Sequence, residues 1–367
     1  MKHSVAVVPG DGIGNEVVPE AIRVLERAGE IWGFGFDWTF FNWGCEYFLK
    51  TGSMMAEDGL DRLREHDAIF LGAVGHPEVP DHASLWGLLI PIRRSFRQYI
   101  NLRPVRLFEG IEGPLRGVVP EDIDMVVVRE NNEGEYSEIG GRLYHGGPEE
   151  LAVQQATFTR RGVERVMRYA FELAGERRGR VSSATKSNGI IHTMPFWDEI
   201  FREHSAEHPG VEADQYHIDA LAAALVLDPR HFDVVVASNL FGDILSDLGA
   251  AIAGSIGIAP SANLNPEGEF PSMFEPVHGS APDIAGRGVA NPIGQIWSGA
   301  IMLEHLGYAE AGEAIVRAIA QVLTETSFRT PDLGGRASTH EVSEQIVEAL
   351  QEHSSSGSEE AWPGKGG

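Results

Sequence analysis

The segment NLFGDILSDL, residues 239–248, places two carboxylates, Asp243 and Asp247, four positions apart among apolar neighbours. At helical pitch this spacing puts both side chains on one face, where like charges repel each other. A hard divalent cation prefers oxygen ligands and would cancel this repulsion. The alternative is an exposed acidic pair on a solvated helix face, which is a common arrangement. The pair is therefore a candidate metal site.

Arginines are concentrated in one short stretch, although the chain as a whole is strongly acidic. The stretch contains Arg93, Arg94, Arg97, Arg103 and Arg106. A planar guanidinium meets a carboxylate through two parallel hydrogen bonds, so arginine suits the binding of a diacid better than lysine does. A salt-bridged helix face is the alternative, and we expect it for Arg94 and Arg97. For the other three, the pattern indicates an anion-binding site.

The net charge argues against nucleic acid as a partner. Asp and Glu total 54 against 29 Lys and Arg, which gives a formal net charge of −25, whereas phosphate backbones require clustered basic residues. Only four of the basic residues are lysines: Lys2, Lys50, Lys186 and Lys365. This balance suits a salt-adapted host. A GC-rich genome that favours arginine over lysine explains it equally well.

Cysteine content and hydropathy limit the kinds of site and compartment. Cys45 is the only cysteine, so one chain can form neither an internal disulfide nor a thiolate metal site. No apolar run approaches the ~20 residues needed to span a bilayer, and the start MKHSVAVVPGDG leads into a predicted strand rather than a signal sequence. We therefore expect a cytoplasmic protein with no membrane partner.

Short β-branched segments alternate with longer helical ones along the chain. Strands are predicted at residues 4–9, 67–74, 124–130 and 232–238, whose continuous apolar character is typical of strands buried on both faces. Helices are predicted at residues 14–30, 160–175, 195–207, 219–227, 243–253, 292–306, 309–324 and 339–351. This alternation indicates an α/β protein with an open sheet. The end of the chain, residues 353–367, is rich in Ser and Gly, and we predict a disordered tail there.

Three glycines follow the first predicted strand in the segment PGDGIGNEV, residues 9–17. A dinucleotide fingerprint would need its third glycine where Asn15 stands. It would also need an acidic residue near position 30 at the end of a second strand, and Glu30 and Asp37 lie only nearby. A tight turn between strand and helix explains the glycines. We therefore do not expect a standard Rossmann fold.

Three blocks resemble the isocitrate/isopropylmalate dehydrogenase family of β-decarboxylating dehydrogenases: PGDGIGNEV (9–17), NLFGDILSDLG (239–249) and FEPVHGSAPDIAGRGVANP (274–292). The blocks RRSFRQYINLRP (93–104), VVRENNEGEY (127–136) and ATKSNG (184–189) join them, and the resemblance covers about residues 3–350. It implies a two-lobed α/β fold with a mixed open sheet. Residues 1–98 plus 254–352 would form the cofactor-binding lobe, and residues 99–253 a second lobe with the metal ligands and the dimer interface.

The resemblance also assigns chemistry to individual residues. It implies Asp219, Asp243 and Asp247 as ligands of Mg²⁺ or Mn²⁺, Arg93, Arg103 and Arg129 as ligands of a small 2-hydroxy diacid, and Tyr136 and Lys186 as the acid and base. In this family the partner subunit contributes Lys186 and Asp219, so a homodimer with shared active sites is expected. Taken alone, Asp219 would be a helix N-cap and Tyr136 a packing residue.

The glycine-rich block at residues 274–292 resembles the nucleotide-binding loop of the family and implies NAD as the cofactor. The residues implied for this site are Ile13, Glu275, His278, Gly279, Ser280, Ala281, Asp283 and Asn291. A carboxylate at Asp283 can accept hydrogen bonds from ribose hydroxyls and would repel a 2′-phosphate, which favours NAD over NADP. NADP-using relatives carry Lys-Tyr at positions 283 and 284. A surface turn is the alternative for this block, and a monovalent cation such as K⁺ is left open.

Trp86 and Leu89 are implied to face the variable side of the substrate. The block SLWGLL (84–89) resembles the branch of the family that acts on D-malate and tartrate, so oxidation and decarboxylation of D-malate to pyruvate and CO₂, or of tartrate, is expected. A 3-isopropylmalate dehydrogenase of leucine biosynthesis is the alternative, although those enzymes usually carry Glu where Trp86 stands. Trp86 and Leu89 can equally be helix packing residues. The remote alternatives are a non-catalytic protein that binds a diacid and a metal, and a structural oligomer.

Overall fold

The computed structural model describes residues 1–355. Within that range the strands are β1 (Lys2–Gly10), β2 (Gly35–Phe40), β3 (Ala68–Ala73), β4 (Ile100–Arg106), β5 (Asp124–Glu130), β6 (Gly140–Leu143), β7 (Leu151–Gln154), β8 (Arg180–Thr185), β9 (Glu212–His217), β10 (Val234–Ala237), β11 (Pro260–Leu264) and β12 (Ser272–Pro276). The helices are α1 (Gly14–Trp32), α2 (Cys45–Thr51), α3 (Gly59–Arg64), α4 (Asp81–Ser84), α5 (Ile90–Ser95), α6 (Arg160–Glu176), α7 (Thr193–Glu207), α8 (Ile218–Leu227), α9 (Asn239–Ile252), α10 (Ile293–His305), α11 (Ala309–Glu325) and α12 (Thr339–Ser355).

One large mixed sheet organises the described chain. Its strand order is β2-β1-β3-β12-β11-β4-β5-β10-β8-β9. The strands pair in parallel toward both edges, whereas β12 with β11, β11 with β4 and β4 with β5 pair antiparallel in the middle. The α/β class and the mixed open sheet are therefore as predicted.

Chain order and sheet order diverge after β3. The next strand along the chain is β4, but β12 and β11 lie between β3 and β4 in the sheet. The start and the end of the chain therefore share one half of the sheet, and the middle of the chain forms the other half. The exact division into lobes, residues 1–98 with 254–352 and residues 99–253, stays a prediction.

The central strands are buried on both faces, as their continuous apolar character predicts. On β1, Val5 and Val7 belong to the apolar cluster on one face, while Ala6 and Val8 belong to the cluster on the other. Alternate side chains of a strand point to opposite faces. Helices therefore have to cover both sides of the sheet, and the helical segments between the strands supply this cover.

The helical segment that begins with α4 and ends with α5 is irregular in its middle. Residues Leu85–Leu89 form a π-helical turn, in which the N–H of Ile90 donates to the carbonyl of Leu85. Pro91 follows and has no N–H to continue a regular ladder, which accounts for the altered hydrogen bonding. Such turns add one residue to the helix and occur frequently at functional sites.

The predicted tail differs from the structure at its start. Helix α12 continues to Ser355, whereas the tail was expected from residue 353. Residues 356–367 lie outside the described part of the chain. Among the helices that the structure describes, none is long and apolar enough to cross a bilayer.

Candidate functional site

Helix α9 carries Asp243 and Asp247, and its first turn is held by the loop after β5. The carboxylate of Glu135 accepts hydrogen bonds from the Ser238 hydroxyl at 2.8 Å and from the N–H of Leu240 at 3.0 Å. A carboxylate at this position satisfies N–H groups that have no partner within the helix and interacts favourably with its dipole. The helix therefore begins at Asn239, four residues before the predicted start at 243. Glu135 also ties the loop to the helix.

Two of the predicted arginines lie on one face of the sheet because β4 and β5 are antiparallel neighbours. Asn101 is opposite Arg129, and Arg103 is opposite Val127. Side chains two positions apart on a strand share a face, so Arg103 and Arg129 come together diagonally. Both are buried, with 7% and 4% of their surface exposed.

Helix α9 packs very close to Arg129. A Cβ atom on Gly242 would lie 2.6 Å from the Cβ of Arg129, so only glycine permits this approach. The Nε and Nη2 atoms of Arg129 donate to Oδ1 of Asn239, and Nη2 does so at 2.7 Å. Asn239 therefore fixes the orientation of the guanidinium.

Asp243 receives three donors from other elements. Arg129 Nη1 donates to its Oδ1, Arg103 Nη1 donates to the same oxygen at 3.2 Å, and the Tyr136 hydroxyl donates to Oδ2 at 3.0 Å. Burial alone would raise the pKa of Asp243, but Arg129 and Arg103 outweigh burial and hold the pKa below its ordinary value. Asp243 is therefore ionised at neutral pH.

Asp247 is the less compensated member of the acidic pair. Its nearest cation is Arg103, with Nη1 at 3.7 Å from Oδ1. Partial burial raises the pKa of Asp247 above its ordinary value, and the negative charge of Asp243 acts in the same direction, against Arg103. An additional cation beside Asp247 would stabilise its ionised carboxylate and lower this pKa. The pair thus presents oxygen donors on one helix face, which fits a hard divalent metal.

The acidic pair on its own is an incomplete metal site. Within residues 1–355, no three His, Cys, Asp or Glu side chains are grouped so that they could hold a metal ion. The predicted third ligand, Asp219, instead accepts a hydrogen bond from Lys186 at 2.5 Å. This hydrogen bond lowers the pKa of Asp219. In one chain, then, Lys186 and Asp219 form a separate pair.

Asp219 is the second residue of α8, and His217 is the N-cap. The alternative in which Asp219 caps this helix is therefore wrong. The Asp219 side chain is 70% exposed and that of Lys186 is 31% exposed. Both are thus accessible from outside the chain that carries them.

Arg93 lies on α5 and faces the first half of the sheet. Its Nη2 donates to Glu275 Oε1 at 2.8 Å, and Nδ2 of Asn263 donates to the same oxygen at 2.7 Å. Both Arg93 and Glu275 are buried. Glu275, implied as a cofactor residue, therefore has an arginine as its partner in this structure.

Tyr136 lies between the two halves of the sheet. The guanidinium carbon of Arg129 is 5.5 Å from the centre of its ring. Burial raises the pKa of the Tyr136 hydroxyl, and the charge of Asp243 raises it further. The phenol is therefore protonated at neutral pH and available as an acid.

A cavity of about 200 Å³ joins these groups. Its lining includes residues that the sequence predicts for the substrate, the metal, the acid and the cofactor, namely Leu89, Arg93, Arg103, Arg129, Tyr136, Asp243, Glu275, His278 and Gly279. Asp247, on the same helix face as Asp243, lies 3.7 Å from Arg103 of this lining. Lys186 and Asp219 are not part of it. The sequence-predicted residues therefore divide into a cleft group and an outlying pair.

The glycine turn after β1 contacts the predicted nucleotide loop directly. The N–H of Ile13 donates to the carbonyl of Ser280 at 2.9 Å. Gly12 has φ +53, and a Cβ atom there would lie 2.1 Å from the same carbonyl oxygen. Ile13 also packs with Ala281 and Ala290 in one small apolar cluster. The two glycine-rich segments thus form one structural unit.

Other predicted cofactor residues have different surroundings. The Nε2 atom of His278 is buried and has no hydrogen-bond partner among the described residues, and burial lowers the pKa of His278 so that the ring is neutral. This unpaired atom fits a ligand with a complementary polar group. Asn291 donates to Asp332 at 3.0 Å, so its amide supports the loop. Asp283 is exposed and accessible to a bound nucleotide.

The π-helical turn supplies the apolar wall of the cavity. Leu85, Leu89 and Ile90 line it, whereas Trp86 does not. The Trp86 ring instead packs against Arg94, with the guanidinium carbon 5.0 Å from the ring centre. Direct contact between Trp86 and a substrate stays a prediction.

Several residues of the site were missed by the sequence analysis. Asn131, Asn132, Asn239 and Arg94 line the cavity, and Glu135 fixes the start of α9. The block VVRENNEGEY contains three of these residues, and a run of short polar side chains directly after a buried strand is a signal that could have identified them. Arg106 was expected in the anion site, but it follows Arg103 by three positions on β4 and therefore points to the opposite face.

Comparisons with known proteins agree with this geometry. The family model described as isocitrate/isopropylmalate dehydrogenase matches residues 4–346. A probable tartrate dehydrogenase/decarboxylase of Bacillus subtilis (strain 168) is 56% identical over 352 residues, which is 95% of this chain and 98% of that protein. The D-malate dehydrogenase [decarboxylating] of Escherichia coli (strain K12) is 54% identical over 354 residues, 94% of this chain and 98% of that protein.

Solved structures share the fold as well. The crystal structure of isocitrate dehydrogenase from Methylococcus capsulatus superposes with a TM-score of 0.85 at 35% identity, over 95% of this chain and 99% of that one. Family match, full-length relatives and fold agree with one another. This chain belongs to the isocitrate/isopropylmalate dehydrogenase family of oxidoreductases.

Proposed function

We propose that this protein oxidises and decarboxylates a small 2-hydroxy diacid, D-malate or tartrate or both, with NAD and a divalent metal, Mg²⁺ or Mn²⁺. The observation that carries the proposal is the cleft itself, in which three buried arginines meet a protonated tyrosine and Asp243, with Asp247 next to Arg103 on the same helix face. The names of the relatives from Bacillus subtilis and Escherichia coli support the same substrates.

Arg93, Arg103 and Arg129 bind the two carboxylates of the diacid. Each guanidinium is held by a partner on the protein, so little conformational freedom is lost when substrate binds. Asn239 orients Arg129 and Glu275 orients Arg93. The carbinol carbon is thereby held in a fixed position, where small displacements are costly to the rate.

Two proton transfers accompany the reaction. The partner subunit's Lys186 takes the proton of the C2 hydroxyl as the C2 hydrogen leaves as hydride. A lysine acts as a base in this way only as the neutral amine, which burial or nearby cations favour near neutral pH. Bound NAD would take up that hydride, and a divalent cation held by Asp243, Asp247 and the partner's Asp219 would stabilise negative charge on the new carbonyl oxygen. The bond to the β-carboxylate then breaks and CO₂ leaves. The Tyr136 hydroxyl delivers a proton to the carbon that carried the β-carboxylate, which gives pyruvate from D-malate.

A second copy of the chain completes the site. Lys186 and Asp219 are both accessible, and exposed apolar side chains lie nearby in sequence: Ile191 is 68% exposed, Leu227 is 82% exposed and Ile244 of α9 is 52% exposed. The hairpin of β6 and β7 is exposed as well, with Leu143 at 56%. Such surfaces favour burial against another protein. We therefore infer a homodimer in which the partner's Lys186 and Asp219 face the acidic pair.

The apolar wall of the cavity favours a second candidate substrate. Leu85, Leu89 and Ile90 line it, and side chains of this kind also suit the isopropyl group of 3-isopropylmalate. The two candidates differ in the size of the substituent that the wall must accept.

A substrate panel distinguishes these candidates. Initial rates of NADH formation with Mn²⁺ should be highest for D-malate or a tartrate, because the charged cleft satisfies two carboxylates and needs no large substituent. Isopropylmalate and isocitrate are the comparison substrates, each with NAD and with NADP. A kcat/KM for isopropylmalate about tenfold or more above that for D-malate, equivalent to about 1.4 kcal/mol, would assign the second substrate instead.

Coenzyme preference should depend on Asp283. Replacing both this residue and the next one, Asp283→Lys with Ile284→Tyr, should lower the NAD/NADP ratio of kcat/KM by about 100-fold. The change removes a charge that repels the 2′-phosphate and adds a charge-assisted donor, which is worth about 1.5–3 kcal/mol. Initial rates with both coenzymes measure the ratio. Glu57→Lys, at an exposed position in the turn before α3, is the charge-matched control. An unchanged ratio in the double variant would remove Asp283 from the nucleotide site.

A further inference from the structure

The helical segment of residues 81–95 contacts the loop of Tyr136 through Arg94. Its Nη2 donates to the carbonyl of Tyr136 at 2.8 Å, and its Nη1 donates to the carboxylate of Glu138 at 2.9 Å. Arg94 lies on α5, which belongs to the first part of the chain, whereas Tyr136 and Glu138 follow β5 in the other half of the sheet. The guanidinium therefore spans the cleft that it also lines.

Trp86 supports this guanidinium from the opposite side. The guanidinium carbon of Arg94 lies 5.0 Å from the centre of the indole, a distance at which a cation is attracted to the ring face. Arg94 is thus held by a ring, a carboxylate and a backbone carbonyl. This geometry gives Trp86 a function that does not require contact with the substrate.

The π-helical turn makes the pairing possible. Two turns of a regular α-helix take up about seven residues, so side chains eight apart would be offset around the axis. One additional residue in the turn at Leu85–Leu89 brings Trp86 and Arg94 close to two full turns apart, and therefore onto the same face. The irregularity before Pro91 thus has a structural consequence at the cleft.

We propose that Arg94, held on the face of Trp86, is a positioning residue that aligns Tyr136 for proton delivery to carbon. The inference rests on the proposed function, because it concerns the step after CO₂ has left. Arg94 acts on the backbone of Tyr136, whereas Asp243 contacts its hydroxyl. The tyrosine is therefore fixed at both ends, at its backbone carbonyl by Arg94 and at its hydroxyl by Asp243.

The alignment role predicts a selective defect. Hydride transfer needs the arginines that bind carboxylates and Lys186, and none of these depends on the contact between Arg94 and Tyr136. Protonation of carbon needs the Tyr136 hydroxyl in the correct position relative to that carbon, and a displacement of about 1 Å lowers the rate by about 100-fold. Arg94→Gln should therefore slow the formation of pyruvate after CO₂ has left, while it leaves the oxidation step and the KM for D-malate within about threefold of the wild type.

Two assays separate the steps. Single-turnover NADH formation from D-malate reports hydride transfer, and formation of pyruvate from added oxaloacetate, corrected for the rate with Mg²⁺ alone, includes the later protonation of carbon. We expect Arg94→Gln and Trp86→Leu to lower the rate of pyruvate formation from oxaloacetate by about 10- to 100-fold. Arg94→Lys should recover part of the rate, because it retains one charged donor but not the pair. Trp86→Phe should recover more than Trp86→Leu, because it retains a ring.

Arg97→Gln is the matched control. Arg97 is also an arginine of this stretch, its guanidinium lies 5.4 Å from the Phe270 ring and it pairs with Glu269 at 2.7 Å, but it does not line the cleft. The Arg97→Gln variant should give the wild-type rate in both assays. The double variant Trp86→Leu with Arg94→Gln should be no worse than Arg94→Gln alone, because both substitutions remove the same support.

The outcomes are distinct. Equal slowing of both assays by Arg94→Gln, a rise in KM of tenfold or more with unchanged kcat, or no effect at all would each overturn the positioning role. If the wild type turns over D-malate and the Arg94→Gln variant behaves like the wild type in both assays, this inference alone is overturned. A wild type that oxidises none of the hydroxy diacids in the substrate panel would overturn the proposed function together with it.

Discussion

Replacing Lys186 with alanine should lower kcat for D-malate oxidation by about 10²- to 10⁴-fold, the usual contribution of a general base. The proton of the C2 hydroxyl must leave as hydride departs, and in the proposed dimer no other basic side chain is assigned to that task. Steady-state NADH formation at saturating D-malate and NAD measures the loss. The melting temperature should change little, because Lys186 pairs with an exposed Asp219 and exposed ion pairs contribute only about 0–1 kcal/mol.

Lys2→Ala is the control for this variant. Lys2 on β1 forms a comparable exposed ion pair with Asp37 on β2 at 2.9 Å, and neither residue lines the cleft. It should retain the wild-type kcat. Residual turnover of Lys186→Ala above about one tenth of the wild-type value would exclude Lys186 as the base.

Replacing Asp247 with asparagine should weaken Mn²⁺ binding by about 100-fold or more and lower turnover in parallel. The substitution keeps the size of the side chain but removes one of the two negative charges that face the cation on α9. Isothermal titration with Mn²⁺ in the absence of substrate measures affinity directly, so the result does not depend on activity. The apoprotein should fold normally, because Asp247 is exposed and has a raised pKa.

Asp243→Asn is less suitable for this purpose, since Asp243 also pairs with two buried arginines and its removal would leave them without that charge. Asp61→Asn, at an exposed position on α3, is the matched control and should bind Mn²⁺ like the wild type. If Asp247→Asn bound the ion with unchanged affinity, the metal would have to lie elsewhere.

The sequence predicts the elements of the fold well because local pattern determines them. Buried strands such as Asp124–Glu130 contain a continuous apolar run, here residues 125–128, and the amphipathic helices repeat at 3.6 residues. The insertion of β12 and β11 between β3 and β4 has no local signal, because it depends on where the chain returns after α9. The family resemblance supplied the mixed sheet that periodicity alone could not.

The candidate site, like the fold, has a part that the sequence predicts and a part that depends on tertiary contacts. The four-residue spacing of Asp243 and Asp247 correctly indicates a shared helix face, and the resemblance identifies Arg103 and Arg129, which the structure places beside Asp243. The expectation that a metal alone offsets the charge of the pair was incomplete, since these two arginines already compensate Asp243. Pairings of this kind depend on tertiary contacts between α9 and the sheet.

Three features required coordinates for a physical reason. Ser238 occupies the N-cap position of α9, but its hydroxyl donates to Glu135 and does not cap the helix. The carboxylate that accepts from the first turn comes from Glu135, which is distant in sequence, so the sequence next to the helix does not reveal it. The π turn depends on hydrogen bonds that propensity does not encode. Trp86 therefore turns toward Arg94 rather than into the cavity, which neither composition nor spacing could indicate.

The central claim is that each active site combines the acidic pair and arginines of one cleft with the partner's Lys186. Mixing Lys186→Ala and Asp247→Asn chains, each inactive alone, tests it most directly. After unfolding and refolding together, half of the dimers should contain one chain of each kind, and each of these has one site with both residues intact. The account predicts recovery of about a quarter of wild-type turnover of D-malate. No recovery, although mass spectrometry of the intact assembly shows that mixed dimers have formed, would contradict it.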